Sequence, residues 1–177
     1  SPVLSLRNEK IINRHIAAIA LSAFFRAFRE RFETVESLFN DLINPCGVAD
    51  LESFLRQRQA DLEESLRAIV PTDMIVRVGL QDRGWIGKIC GDESRFSLAQ
   101  AEVSSDYRTV KGLEEVTSGK GDYDTAGRAR ARAKTISDED VLSFLSRKAV
   151  IPKYGFPVDV VELDTQRTRQ DQEAFEV

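Results

Sequence analysis

The segment from Val150 to Leu163, VIPKYGFPVDVVEL, constrains the fold most, because two prolines bracket a glycine within it. Pro152 and Pro157 each remove a backbone donor and fix φ, so this segment cannot be helical. Residues 158–163 are rich in β-branched side chains and roughly alternate, which predicts a strand. A strand needs a partner, yet the preceding sequence is typical of helices and only a short polar stretch follows. We therefore expect the chain to be a piece of a longer protein.

The rest of the chain predicts a mainly α fold, an antiparallel helical bundle or array with one small C-terminal β element. Apolar residues recur at three- and four-residue spacing, which is typical of amphipathic helices. Residues 74–80 fit either a strand or a short helix, and the helix is favoured because it leaves no further strand unpaired. The predicted helices cover residues 8–32, 35–43, 51–69, 96–113, 126–134 and 138–147.

The sequence divides into three parts. Residues 1–149 are predicted to form a helical accessory domain, residues 150–164 a loop-strand element, and residues 165–177 a polar tail or linker. Within the first part, Asn8 and Thr34 are expected N-caps. The acidic stretch after Ser137 is expected to open the last helix, and the TSGKGDYD stretch is expected to be a turn-rich loop.

No residue constellation in this chain predicts catalysis or a metal site. Residues 117–121, TSGKG, lack the upstream glycine of a phosphate-binding loop. The acidic residues 138–140 fit the start of a helix better than the acidic Mg²⁺-binding box that accompanies such a loop. His15 is the single histidine, so a dyad with a second histidine or a multi-His metal site cannot form within the chain. Cys46 and Cys90 are too far apart for a zinc knuckle and are expected to be reduced thiols.

The charge distribution leaves nucleic-acid contact open. The net charge of −4 argues against general affinity for phosphate. However, Arg128, Arg130, Arg132 and Lys134 are concentrated in GRARARAK. In a helix this spacing spreads the charges around the axis, as on an ordinary solvated face, whereas an extended conformation would place all four on one edge suited to a phosphate backbone.

No apolar run in the sequence approaches the ~20 residues of a membrane span. The sequence therefore predicts a cytoplasmic protein without a membrane partner.

Two segments carry a resemblance to a known family. PKYGFPVDVVEL, placed after a helix, resembles a segment of the large DEAD/DEAH-box (superfamily-2) helicases of bacteria and archaea that carry a C-terminal cysteine-rich, zinc-binding extension, including MrfA-like repair helicases and phage-defence relatives. At the other end, LRNEKIINRHIAA is similar to the LRN-x(5)-RH-x-x-A pattern that follows the second motor domain of that family. The two segments frame almost the whole chain.

The resemblance implies an accessory domain that supports the motor core and the nucleic-acid channel of an ATP-dependent DNA or RNA helicase. ATP and Mg²⁺ are then implied for the parent protein, and zinc for a region beyond Val177, with no cofactor in this chain. The expected partners are the remainder of the helicase polypeptide and nucleic acid. The alternative is a helical protein–protein interaction module, for instance in a defence complex, without nucleic-acid contact.

Two sets of candidate site residues follow. Arg14 and His15 fit either a phosphate or interdomain contact, as the resemblance implies, or a solvated helix face. Tyr154 and Phe156 fit stacking on a base or, preferably, packing into a neighbouring domain. The exposed strand edge also predicts self-association. The nucleic-acid candidates are Arg7, Arg14, His15, Arg128, Arg130, Arg132, Lys134 and Lys153. The domain-docking candidates are Tyr154, Phe156, Val158 and Val160.

Overall fold

A computed structural model of the chain describes residues 2–153, with side chains from Asn8 onward. Helices dominate this part, and two single-turn 3-10 helices, Arg29–Arg31 and Thr72–Met74, separate some of them. The α-helices are α1 (Pro2–Ala27), α2 (Val35–Phe39), α3 (Gly47–Arg67), α4 (Ile75–Val78), α5 (Trp85–Cys90), α6 (Arg95–Gly119), α7 (Tyr123–Asp138) and α8 (Val141–Arg147).

The predicted mainly α fold is confirmed. Across residues 2–153, the one β-type pairing is an isolated antiparallel bridge between Thr34 and Asp140. These two residues are the N-caps of α2 and α8, so the bridge couples the starts of two helices that are far apart in sequence. The predicted strand over 158–163 lies outside the described residues and stays a prediction.

The first two helices differ from the predicted bounds because of local backbone geometry. Thr34 caps α2 as expected and forms a capping box with Ser37. Asn8 is not an N-cap, because α1 already begins at Pro2. The predicted helix over 35–43 is too long, since Asn40 has φ of 69° and ends α2 at Phe39.

The middle of the chain forms the short helix that was favoured over a strand. Gly79 ends α4 with φ of 82°, a conformation that glycine adopts without a steric penalty. α3 begins at Gly47, four residues before the predicted start. A Cβ atom at Gly47 would lie 2.6 Å from Cδ1 of Phe39, so the missing side chain allows α3 to approach α2 closely.

The hydrophobic core is built from buried residues of the helices α1 to α5, the first half of α6 and α8. Phe39 links α2 to α6 and α8. Its ring stacks on Phe96 of α6 with centroids 5.6 Å apart and makes an edge contact with Phe144 of α8 at 5.6 Å. All three rings are buried, as is Trp85. The root of α6 is therefore fixed by aromatic packing.

α6 and α7 form an antiparallel helical hairpin whose two helices are longer than the sequence pattern predicted. α6 continues through Gly119, past the predicted end at residue 113, and α7 begins at Tyr123, where Asp122 accepts a hydrogen bond from the Thr125 amide at 3.2 Å. The predicted TSGKGDYD loop is wrong for most of its length. Its turn is confined to residues 120–122, where Gly121 has φ of 78°.

The boundary between the last two helices also differs from the prediction. Asp138 ends α7, and Asp140 caps α8 by accepting a hydrogen bond from the Ser143 amide at 3.1 Å. The acidic stretch is therefore a connection between helices, and neither Ser137 as a cap nor residue 138 as a helix start is correct. Within residues 2–153, no helix combines the length and apolarity required to cross a bilayer.

Candidate nucleic-acid interface

The distal part of the hairpin, residues 105–138, forms a two-helix structure that we call the arm. Ser104 is the last buried residue of α6. The 15 residues from there to Gly119 extend for about 22 Å at the usual helical rise. The arm therefore presents most of its side chains to solvent.

Three alanines of α7 form its contact with α6 within the arm. Ala126, Ala129 and Ala133 are buried on the side of α7 that faces α6, and they do not belong to the main core. Small residues let two helices approach closely while burying little apolar area, so the large side chains of α7 point elsewhere. This explains how a helix with few large apolar residues is held in place.

The four cations of α7 are all exposed, and the helix divides them into two rows. Residues four apart lie on one face, so Arg128 and Arg132 form one row and Arg130 and Lys134 form the other. The extended conformation that would place all four on one edge is not adopted. The arm therefore offers two parallel pairs of cations on opposite flanks.

One cation of the Arg130–Lys134 row is neutralised, whereas Lys134 and both members of the other row form no ion pair among the described residues. Arg130 forms an ion pair with Glu114 of α6, with Nε and Oε1 3.0 Å apart, and Lys111 contacts the other oxygen at 2.9 Å. Hydrogen bonds from Lys111 and then Arg130 hold the pKa of Glu114 below its ordinary value. Arg128 donates to the Thr125 hydroxyl at 3.2 Å, and after the hydrogen bonds from Thr125 its charge also lowers the pKa of Asp122. Neither Arg128 nor Arg132 forms an ion pair within 4 Å among the described residues. The Arg128–Arg132 row is therefore free to meet an anion.

The root of the arm is tied to the body by polar contacts that sequence reasoning missed. Ser104 donates to the Leu42 carbonyl at 2.7 Å, and Nε of Arg108 donates to the Ile43 carbonyl at 2.8 Å. Both carbonyls lie in the irregular segment after α2, which the apolar pattern wrongly assigned to the helix predicted over 35–43. These contacts set the direction in which the arm leaves the body.

The other predicted site residues do not join the arm. Arg14 lies half-buried in α1 and lines a cleft with the start of α6, while its neighbour His15 is exposed. Lys153 is exposed at the end of the described residues, and the side chain of Arg7 lies outside them. The docking candidates Tyr154, Phe156, Val158 and Val160 also lie outside the described residues.

Neither cysteine is placed for nucleophilic chemistry. Both are free thiols, and burial raises the pKa of Cys90 to about 12. Burial, followed by a hydrogen bond to Asp50 at 3.2 Å, also raises the pKa of Cys46. Among the described residues, no group of three or more metal-ligating side chains comes together.

The chain matches no protein-family model, no curated protein sequence and no solved structure.

Proposed function

We propose that this chain is an accessory helical domain of an ATP-dependent DNA or RNA helicase and that the arm contacts the phosphate backbone of the nucleic acid. The observation that carries the proposal is the Arg128–Arg132 row, two exposed arginines one helical turn apart that form no ion pair within 4 Å among the described residues. Phosphate contacts by Lys and Arg supply the sequence-independent part of nucleic-acid affinity. The sequence resemblance at the two ends of the chain supports the link to a helicase.

The mechanical role follows from how the arm is built. A helical pair anchored at its root by Ser104, Arg108 and buried aromatic rings holds its cations at a fixed distance from the body. Such an arm would support one side of a channel through which a strand leaves the motor. ATP and Mg²⁺ would act in the motor domains of the parent protein, and zinc in its cysteine-rich extension. The proposal places the protein in the cytoplasm.

Salt-dependent binding of a labelled single-stranded oligonucleotide tests the proposal. The variant Arg128→Ala/Arg130→Ala/Arg132→Ala removes three cations of the arm. If the Arg128–Arg132 row makes two phosphate contacts, the slope of log K against log salt should flatten by about 1.4, at ~0.7 per contact on single strands. Weakening should be uniform across oligonucleotide sequences, since phosphate contacts carry no base information.

A matched control removes the same charge elsewhere. Arg29, Arg58 and Arg67 are exposed residues outside the arm, and changing all three to Ala should leave the slope unchanged. Equal slopes for the wild type and the arm variant would refute the nucleic-acid proposal.

A second candidate function, a protein–protein interaction module, is favoured by a different feature of the arm. Leu113, Val116 and Tyr123 are exposed by 49%, 54% and 73% respectively. Leu113 and Val116 are three residues apart on α6 and so lie on one exposed face. In this case the variant Leu113→Ser/Val116→Ser would lose binding to the protein partner, whereas the variant with three arginines replaced would bind it normally. The affinity of the wild type for that partner would change little with salt.

A further inference from the structure

A cleft between α1, α5, the start of α6 and the end of α8 collects positive charge away from the arm. Its volume is about 180 Å³. Lys10, Arg14, Lys88 and Arg95 line it, against the single carboxylate of Glu93. These residues are up to 85 positions apart in sequence, so only the packing of α1 against α5 and α6 brings them together.

Three of the four cations have no other partner among the described residues. Lys88 is committed, since its Nζ contacts Glu9 at 3.3 Å and also donates to the carbonyl of Arg77. By contrast, no hydrogen bond or ion pair is recorded for the side chains of Lys10, Arg14 and Arg95 within the described part of the chain. The cleft therefore has a positive charge that Glu93 alone does not balance.

The backbone of α6 adds donors at the same place. The first amides of a helix have no intrahelical partner. Ser94 Oγ accepts from Ser97 N at 3.1 Å, which leaves the N–H groups of Arg95 and Phe96 without a recorded partner among the described residues. Both residues line the cleft.

The wall of the cleft also has unfilled hydrogen-bonding capacity. Asn13 lines it, and its Oδ1 atom is buried without a partner in the described part of the chain. Buried polar atoms in folded proteins almost always have a partner, and an amide oxygen needs a donor, so ordered water or the hydroxyl of a monoprotonated phosphate is expected to donate to it. The bottom of the cleft belongs to the hydrophobic core, because Ile89, Phe96 and Val150 are nearly inaccessible to solvent.

We propose that this cleft binds a phosphate group, held by Arg14, Arg95 and Lys10 with the first amides of α6. Its volume is below the ~300–1,000 Å³ of sites that enclose a drug-sized ligand, so it accommodates one tetrahedral anion and not a whole nucleotide. A free phosphate or the terminal phosphate of a nucleic-acid strand supplies the same chemistry. The proposal is independent of the arm, because none of its residues lies between 105 and 138.

An NMR titration with inorganic phosphate tests the site, with sodium chloride at matched ionic strength as the reference. The amides of Arg95 and Phe96 and the side-chain Nε–Hε of Arg14 should shift and saturate. Arg14→Gln and Arg95→Gln should each weaken binding about tenfold, the loss expected for one charge-assisted hydrogen bond. Arg67→Gln, at an exposed position on α3, should bind phosphate like the wild type.

Shifts that follow ionic strength alone, or equal affinity in all three variants, would overturn the proposal. A second experiment compares the binding of a dinucleotide with and without a 5′-phosphate. Tighter binding of the phosphorylated dinucleotide than of inorganic phosphate would identify a strand end as the source, and the reverse order would identify the free anion. Phosphate binding in the cleft together with a salt slope unaffected by the arm variant would keep this proposal and reject the one for the arm.

Discussion

Phe39→Ala should destabilise the protein far more than the chemically identical change Phe28→Ala. The Phe39 ring is fully buried and contacts two other rings, Phe96 and Phe144, each at 5.6 Å. Loss of a buried Phe side chain costs about 3–5 kcal/mol. The upper half of that range applies, because two aromatic pairs worth ~0.5–1.5 kcal/mol each are lost with it. Gly47 packs against the same ring, which limits how far the cavity can collapse.

Phe28 is the matched control. It is 40% exposed, although its ring also contacts two others, Phe24 at 5.3 Å and Phe54 at 5.9 Å. Its removal should cost about 1–2 kcal/mol, mostly from those pairs. Urea unfolding followed by the fluorescence of Trp85, the single tryptophan, measures both changes. A cost for Phe39→Ala equal to or below that of Phe28→Ala would refute the assignment of Phe39 to the junction of α2, α6 and α8.

Three further predictions concern the helices, the acid response and the thiols. Gly127→Ala should raise the free energy of unfolding by about 0.5–1 kcal/mol, because a Cβ there meets nothing within 4 Å and alanine favours the helix. Gly47→Ala should lower it, and urea midpoints in the opposite order would contradict the packing described. Because the pKa of Glu114 is lowered in the folded state, its contribution to stability is present above the unfolded value of ~4.3 and is lost as pH falls through the lower folded value. Glu114→Gln should therefore lose less stability than the wild type in melting curves across that acid range, and parallel curves would exclude the ion pairs of the arm. At about pH 8 the native protein should alkylate at Cys46 before Cys90, whose burial keeps the thiolate population negligible, and mass spectrometry showing early Cys90 labelling would contradict that burial.

Local sequence patterns predicted α1, α3 and α6 well because each of them repeats its large apolar residues at the helical period. The ends were harder to predict. Asn40 and Gly47 set the bounds of α2 and α3 through a positive φ and a close contact, and neither is visible in a periodic pattern. The hairpin was also underestimated, since α7 is held by buried alanines and not by large apolar side chains.

The candidate site was only partly predictable for a related reason. The exposure of the cations on α7 follows from a run in which alanines alternate with basic residues. The neutralisation of Arg130 depends on Glu114, which lies 16 residues away in sequence, so the run itself does not reveal it. The cleft of Arg14 and Arg95 depends even more on tertiary packing, because the two arginines come from different helices.

The most direct test of the central claim is a map of where a single-stranded oligonucleotide touches the chain. In a ¹⁵N-resolved NMR titration at low salt, the side-chain Nε–Hε signals of Arg128 and Arg132 should shift the most, with smaller changes at Arg130, which is held by Glu114. Added salt should reverse the shifts, because phosphate contacts release counterions. Shifts confined to Leu113, Val116 and Tyr123, or no saturable shift on the arm at all, would contradict the account.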